Sequence, residues 1–420
     1  MRRGALVSVG CAATVATGCA GGTTGSTSAA QAHPPARTAA ASASTTPALS
    51  TAQPLAAVTT NSERTGNAYQ VLLVSGDGRL VARVSAQLPS TKLNQSIDLP
   101  LTSVSAARVY YLDGDTDIRW LAPDGSNGLA AHIAAGSTGE LAFAVSPDDA
   151  QIAVTVLTEA GDPSQTTMTT SVGALSGGGK PHQLLGLSGA SAYRWAAGWQ
   201  RGALVLALRA TLGCGEYIST AGFAGGGGGG AGGGGGGGAG GVGGTGGTGP
   251  QGGYPYDCAG AYHLVSPVDG RHLVDVCQAP ASFQSPADDV IPVGLTTSSG
   301  VACLDYAGGY GVSAWDGRRT VFSRLPRSYR AHCYSAPDAS KIACSGQEDP
   351  VQSTLVINRD GSTRGLGGRY SVLGWMDADC VLVSLGRHAL GVVETDGRLM
   401  ATLALDDADQ ASMVGVLAGS

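Results

Sequence analysis

The stretch Phe143-Ala-Val-Ser-Pro-Asp-Asp-Ala-Gln-Ile-Ala-Val-Thr-Val156 decides the fold that this sequence predicts. Apolar residues fill both of its ends, and Pro147-Asp148-Asp149 stands between them. Proline presets the backbone angle of a turn, and aspartate accepts a hydrogen bond from the backbone two residues on. The stretch therefore predicts a β-hairpin with a tight turn at residues 147–149.

A near copy of this hairpin returns as Cys333-Tyr-Ser-Ala-Pro-Asp-Ala-Ser-Lys-Ile-Ala-Cys344. Pro337 and Asp338 take the places of Pro147 and Asp148 in the turn. A hairpin that recurs along a chain is typical of a radial all-β array, in which each sheet covers the apolar faces of its neighbours.

The chain from residue 66 onward divides into further units of this kind. Short apolar runs alternate with Asp-Gly turn signals such as Asp124-Gly125, and no window shows the 3.6-residue period of an amphipathic helix. About seven units can be recognised, near residues 67–85, 100–134, 139–188, 198–277, 290–323, 331–366 and 370–405. We expect an all-β β-propeller of seven blades over residues 66–420, with six blades as the alternative.

The two ends of this region indicate how the ring closes. The first unit has only two clear strands, and the apolar run Met413-Val-Gly-Val-Leu417 lies beyond the last full unit. We expect this run to pair into the first unit, which would close the ring and protect an open strand edge.

The two hairpins resemble the "SPDG-x-x-I-A" repeat of TolB-like, WD-repeat-like bacterial propellers. They share these pieces of the repeat: Ser146-Pro147-Asp148, Ile152-Ala153, Pro337-Asp338 and Ile342-Ala343. The glycine of the repeat is Asp149 in one copy and Ala339 in the other. The resemblance implies a propeller outside the cytoplasm, often with a role in binding partners, and implies no shared catalytic residues.

The N-terminal residues predict export. Arg2 and Arg3 precede a short apolar run, and residues 1–19 have the pattern of a signal peptide. Ala16-Thr17-Gly18-Cys19 resembles the lipobox of bacterial lipoproteins, which implies a lipid on Cys19 and a position on the extracytoplasmic face of the cell membrane. Secretion with cleavage nearby is the alternative. Residues 20–65, rich in Ala, Ser, Thr and Pro, predict a disordered tether.

Composition limits the partners. Charged residues are only 13% of the chain and the net charge is -6, so the sequence lacks the basic excess that a nucleic-acid partner requires. Residues 221–253 are a glycine tract within the propeller. No strand-to-helix context accompanies it, so it predicts a disordered surface insertion rather than a phosphate-binding loop.

Cysteine positions predict a disulfide within the second hairpin. Cys333 and Cys344 lie at equal distances from the centre of the turn, so a regular antiparallel hairpin places them opposite each other. The first hairpin holds Phe143 and Val154 at these places, an apolar pair.

The other cysteines after the signal suggest two more pairs. Cys214 and Cys258 flank the glycine tract and would close it as a loop, while Cys277 and Cys303 belong to adjacent units. Cys380 is then left over. None of the cysteines forms a CxxC pair, which disfavours zinc or thioredoxin-type chemistry.

Candidate chemistry is sparse. Asp113, Asp115 and Asp117 follow the alternation of a calcium loop, but Ile118 replaces the glycine that the loop needs, so we interpret them as a hairpin tip and predict no metal. No G-x-S-x-G elbow occurs. The remaining candidates recur at equivalent positions of the repeats or are scattered histidines. We interpret Asp148, Asp338 and Asp377 as turn caps, and Trp199 and Trp375 as packing between blades. The histidines His263, His272, His332 and His388 are either structural residues or part of the lining of the ring.

Two functions remain open. The first is a cofactor-free binding or scaffold module for envelope proteins or glycans, because a propeller offers a rigid ring with variable loops. The alternative is a propeller enzyme, a hydrolase or lyase on sugars, with its site at the central funnel. A cluster of ionisable groups at that funnel would favour the enzyme.

Overall fold

Strands in the described part of the chain form seven antiparallel sheets of four strands each. The computed structural model describes residues 53–61, 67–90, 99–134, 136, 139–158, 167–178, 180–188, 192–210, 262–277, 290–293, 297–305, 309–324, 332–345, 354–368 and 370–417. A seven-bladed propeller is therefore confirmed. Over these ranges the structure has one 3-10 turn, Ala408–Gln410, and no α-helix.

The strands follow one another around the ring in chain order. They are β1 (Leu55–Asn61), β2 (Ala68–Ser75), β3 (Leu80–Gln87), β4 (Thr102–Val104), β5 (Val109–Asp113), β6 (Asp117–Leu121), β7 (Asn127–His132), β8 (Gly139–Val145), β9 (Gln151–Thr158), β10 (Thr167–Ala174), β11 (His182–Ser188), β12 (Ala192–Gln200), β13 (Ala203–Ala210), β14 (Tyr262–Val265), β15 (His272–Val276), β16 (Val290–Val293), β17 (Gly300–Asp305), β18 (Gly309–Ala314), β19 (Arg319–Arg324), β20 (His332–Ser335), β21 (Lys341–Ser345), β22 (Thr354–Asn358), β23 (Thr363–Gly365), β24 (Ser371–Trp375), β25 (Cys380–Ser384), β26 (Ala389–Glu394), β27 (Leu399–Ala404) and β28 (Ala411–Leu417).

Sheet 1 joins the two ends of the propeller in the order β28-β1-β2-β3, whereas sheets 2 to 7 each take four consecutive strands. β28 runs antiparallel to β1, with Leu417 opposite Leu55 and Ala411 opposite Thr60. The predicted closure by residues 413–417 is confirmed.

The propeller begins earlier than the sequence predicts. β1 lies within residues 20–65, which the composition assigns to the tether, so the boundary at residue 66 is wrong. Ala56, Ala57 and Val58 are fully buried between two partner strands. Small side chains suit a strand that is enclosed on both faces. Small residues are also typical of linkers, which is why the composition assigns this segment to the tether.

Neighbouring sheets bury their faces against each other. Tyr110 and Leu112 of sheet 2, for example, pack in one cluster with Phe143 and Val154 of sheet 3. Full burial of one such side chain stabilises the fold by about 1.5–3 kcal/mol. Since each face depends on the next sheet around the ring, no blade is stable alone.

The hairpin turns have the predicted chemistry. Asp148 accepts hydrogen bonds from the Ser146 hydroxyl (2.6 Å) and the Ala150 amide (3.1 Å), and Asp338 accepts one from the Ser340 amide (3.0 Å). An equivalent amide bond from the residue two positions on recurs at Asp77, Asp124, Asp269, Asp316, Asp360, Asp377 and Asp396. The recurring aspartates therefore cap turns.

Two predicted cysteine pairs lie in the described residues. Cys333 is bonded to Cys344 across β20 and β21, where the two residues pair directly, and Cys277 after sheet 4 is bonded to Cys303 in sheet 5. Cys380 is free, and burial together with nearby Asp377 raises the pKa of its thiol to about 12.

Several sequence-based expectations concern residues outside the described ranges. They are the signal at residues 1–19 with its lipidation site Cys19, the tether up to residue 52, the pair Cys214 and Cys258, and the insertion at residues 221–253.

We predict that Ala339→Gly stabilises the propeller. Ala339 stands where the repeat has glycine and adopts a φ of 58°. The left-handed conformation costs an alanine about 1–2 kcal/mol, more than the entropy that glycine loses, so we expect a gain of roughly 0.5–1 kcal/mol in the free energy of unfolding. Chemical denaturation measures it. Ala150 lies beside the equivalent turn of the first hairpin, but its φ is not positive. Ala150→Gly should therefore lower the free energy of unfolding instead.

We also predict that acid destabilises the protein through its turn aspartates. A side-chain hydrogen bond, from a serine or from Arg318, is the main cause that lowers the carboxyl pKa of six turn aspartates. They are Asp77, Asp124, Asp148, Asp269, Asp316 and Asp360. A lowered pKa in the folded state means stability that is present above about pH 4 and is lost as the pH falls through the folded pKa. The melting temperature should therefore be level near about pH 6 and fall below about pH 4.

Asp148→Asn provides the control for this acid effect. The amide oxygen keeps a hydrogen-bond acceptor in the turn, but the group no longer titrates. Its melting temperature should therefore fall less steeply with acid than that of the unmodified protein. A loss of stability centred above about pH 5 would contradict the assignment to these carboxyls.

Candidate functional site: the central channel

A cavity of about 650 Å³ lies at the centre of the ring. Its wall comes from first strands and the residues beside them, in several sheets. The main contributors are residues 102–106 of sheet 2, 197–200 of sheet 4, 297–298 of sheet 5, 334–335 of sheet 6, 374–378 of sheet 7 and 413–417 of β28. This candidate site is therefore composed of short pieces from separate repeats.

Neutral hydroxyls supply most of the polar lining. Ser103 accepts a hydrogen bond from the Val145 amide at 2.9 Å, which ties sheet 2 to sheet 3. Ser105 accepts one from the Arg108 amide at 3.0 Å, and Ser298 donates to the Pro337 carbonyl at 3.2 Å. These bonds fix the hydroxyls in place, so the hydroxyls are preorganised polar groups without formal charge.

Asp377 is the carboxylate that lines the channel in the described part of the chain. Its Oδ1 accepts the amides of Asp379 (2.8 Å) and Cys380 (2.7 Å), as in the other turns. General acid–base catalysis needs a second group within reach of the same substrate atom. Among the described lining residues no other Asp or Glu, and no His, stands beside it.

Trp199 and Trp375 lie at equivalent places in the wall and confirm the predicted packing between blades. The indole of Trp199 donates to the Ala144 carbonyl of sheet 3 at 3.1 Å, and that of Trp375 donates to the Tyr334 carbonyl of sheet 6 at 2.8 Å. Both rings are buried, with exposed fractions of 6% and 3%. They fix one sheet to the preceding one and leave little ring surface for a ligand.

The D-x-D-x-D run forms a hairpin tip whose carboxylates face different partners. Asp113 accepts the Gln87 amide at 2.9 Å, Asp115 accepts the Ser90 amide at 2.7 Å, and Asp117 pairs with His132 at 2.6 Å. The tip thus ties sheet 2 to the end of β3.

The histidines do not gather at the channel in the described residues. His388 lies beside Asp406 on the surface, and the side chain of His332 is outside the described part. His263 and His272 meet instead at Asp275, on the outer strands of sheet 4. Nδ1 of His263 lies 2.5 Å and Nε2 of His272 lies 2.7 Å from Oδ1 of Asp275.

A β-bulge brings these three side chains to one face. His263 pairs directly with Asp275, but the register between β14 and β15 then shifts, so that Leu264 faces Val274 and Val265 faces His272. Residues 272 and 275 of a regular strand would point to opposite faces. The extra residue in β15 turns His272 to the side of Asp275.

Sequence reasoning missed this cluster. Ser266 and Arg271 close the turn, so the symmetry that pairs Cys333 with Cys344 would place Val274, not Asp275, opposite His263. Burial lowers the pKa of His263 and so favours the neutral imidazole, although Asp275 acts on this pKa in the opposite direction. No signal in the sequence marks the cluster, because the position of Asp275 depends on the bulge.

The described residues include no helix that has both the length and the apolar character to cross a bilayer.

No protein-family model matches this sequence, and no curated protein matches it. Among solved structures it is similar to TolB from Acinetobacter baumannii, with 12% identity and a TM-score of 0.38 over 74% of this chain and 63% of TolB. BamB from Moraxella catarrhalis shares 9% identity, with a TM-score of 0.37 over 87% of this chain and 91% of BamB.

An acylaminoacyl peptidase from Pyrococcus horikoshii shares 10% identity with this chain. Its TM-score is 0.44, over 84% of this chain and 52% of the peptidase. The chain thus spans less than two thirds of TolB and about half of the peptidase. Likenesses this distant carry no argument about function, and the seven sheets themselves establish the propeller.

Proposed function

We propose that this protein is a binding or scaffold module that is held outside the cytoplasm by a lipid on Cys19 and takes up neutral polar ligands at its central channel. The ligands would be glycans or segments of envelope proteins. The lining hydroxyls support this proposal, since groups held by backbone hydrogen bonds form a preorganised surface.

The chemistry of the wall favours an uncharged ligand. A formally charged ligand group would require an opposite charge in the wall, because desolvation of an unpaired charge is costly. Apart from Asp377, whose Oδ1 accepts two backbone amides of its turn, the lining offers Ser and Thr hydroxyls, the amide of Gln200 and the apolar surfaces of Val104 and Val416. Such a mixture suits the hydroxyls and ring faces of sugars, or the amides of an extended peptide.

The frame around the channel suits binding without large rearrangement. Trp199 and Trp375 hold neighbouring sheets together, and the Ser103 hydroxyl joins sheets 2 and 3. A rigid wall loses little conformational entropy when a ligand binds, so modest contacts can give useful affinity.

We predict that Gln200→Glu weakens ligand binding at the channel at least tenfold, which corresponds to about 1.4 kcal/mol. Gln200 lies in the wall, and a carboxylate of nearly the same shape adds an uncompensated charge there. Binding of the purified protein to glycan arrays and to envelope fractions measures the effect. Gln151→Glu makes the same change at an exposed strand end of sheet 3 and should leave binding unchanged.

Equal binding by the two variants would overturn the channel as the ligand site. Turnover of a glycosidic, ester or peptide substrate that is lost in folded Asp377→Asn would overturn the binding proposal in favour of the enzyme. Asparagine keeps the oxygen acceptor of the turn, so this variant should fold.

We predict that Cys19→Ser abolishes the membrane anchor. Acylation requires the thiol of this cysteine, and serine offers no equivalent nucleophile. Metabolic labelling with a fatty acid should mark the unmodified protein and not the variant, and the variant should leave the membrane fraction. Labelling that persists in Cys19→Ser would contradict the anchor without bearing on the channel.

A further inference from the structure

The cluster of His263, His272 and Asp275 does not line the channel. It lies on β14 and β15, the outer strands of sheet 4, and its three donor atoms all lie within 4.8 Å of one another. The two imidazole rings meet edge to face with centroids 5.7 Å apart. Both rings direct a nitrogen at the same carboxylate oxygen.

We propose that His263, His272 and Asp275 form a binding site for a divalent transition-metal ion, specifically Zn²⁺. Two imidazoles and one carboxylate match the donor preference of zinc, whereas calcium and magnesium prefer oxygen ligands. Three protein ligands leave a fourth position open in tetrahedral geometry.

The geometry requires only a small rearrangement to admit the ion. Zinc bonds of about 2.0–2.1 Å place tetrahedral donors roughly 3.3 Å apart, compared with 2.5 and 2.7 Å between the nitrogens and the carboxylate oxygen here. The His272 side chain is 54% exposed and can move outward. The ion would also have a path of entry from solvent past this ring.

The β-bulge supplies an independent argument for a built site. A regular hairpin continued from the Ser266–Arg271 turn would place Val274 opposite His263 and Asp275 on the other face, and the extra residue in β15 brings Asp275 to the face of the two histidines. Bulges are frequent beside functional sites, where they redirect a side chain. His132 and Asp117 of sheet 2 provide a comparison, because they form a pair of one imidazole and one carboxylate without a third donor among the described residues.

Arg194 influences what completes the coordination. It acts electrostatically on His263, and its buried Nε has no hydrogen-bond partner in the described structure. Zinc with one carboxylate carries a net positive charge, to which the guanidinium adds. The fourth ligand should therefore be anionic, such as hydroxide, chloride or a carboxylate.

Zinc titration of the full chain, expressed without a histidine tag and first treated with a chelator, tests the site. Competition against a chromophoric chelator should give one zinc ion per chain, with binding weakened at least tenfold in His272→Ala. That variant removes an exposed ring and should fold. Asp275→Asn should also weaken binding, while the matched control His132→Ala should leave both affinity and stoichiometry unchanged.

Thermal denaturation provides a second readout, because an ion that binds only the folded state raises the melting temperature. Zinc should raise it for the unmodified protein and for His132→Ala, and should not for His272→Ala. Absence of zinc binding at micromolar concentrations in the unmodified protein, or equal affinity in His272→Ala, would overturn the site and leave a hydrogen-bonded triad.

Discussion

The pairing of β28 with β1 is the constraint on which the ring depends. Sheet 1 is built from both ends of the propeller, so its four strands come together only when the rest of the ring has been traversed. Closing a loop of this length costs on the order of 5 kcal/mol beyond a constant term. The backbone pairing from Leu55 to Thr60 and the burial of Met413 and Leu417 offset that cost. Without β28, β1 would be an open edge.

Direct bonds between sheets add to this closure. The Ala196 amide of sheet 4 donates to the buried Thr155 hydroxyl of sheet 3, which also bonds Thr170. The Trp199 indole joins the same two sheets nearer the axis. A buried polar group left without a partner costs about 1–3 kcal/mol, so these bonds specify one spacing between the sheets. The fixed spacing in turn keeps the channel wall in register.

Local turn chemistry made most of the fold predictable. The Pro-Asp turns and the Asp-Gly pairs mark hairpins from a few adjacent residues, and the seven units follow from their spacing. The start of the propeller was not predictable in this way, because Leu55–Asn61 has the small residues of a linker and becomes a strand only between β28 and β2. The channel wall was not predictable from the sequence either, since it combines residues such as Ser103, Gln200 and Ser335 from distant repeats.

The two paired sites of this chain show where symmetry about a turn succeeds and where it fails. Equal distance from the turn places Cys333 opposite Cys344, because no register shift lies between this pair and its turn. His263 lies opposite Asp275 because a register shift does lie between that pair and its turn, which Ser266 and Arg271 close. The same shift puts Asp275 on the face of His272, since a shift of one residue moves a side chain to the other face of a strand. One hairpin therefore gains a covalent bond from regular pairing, and the other gains a third polar donor from a departure from it. A site of three donors on a two-stranded edge is thus visible only in the folded chain.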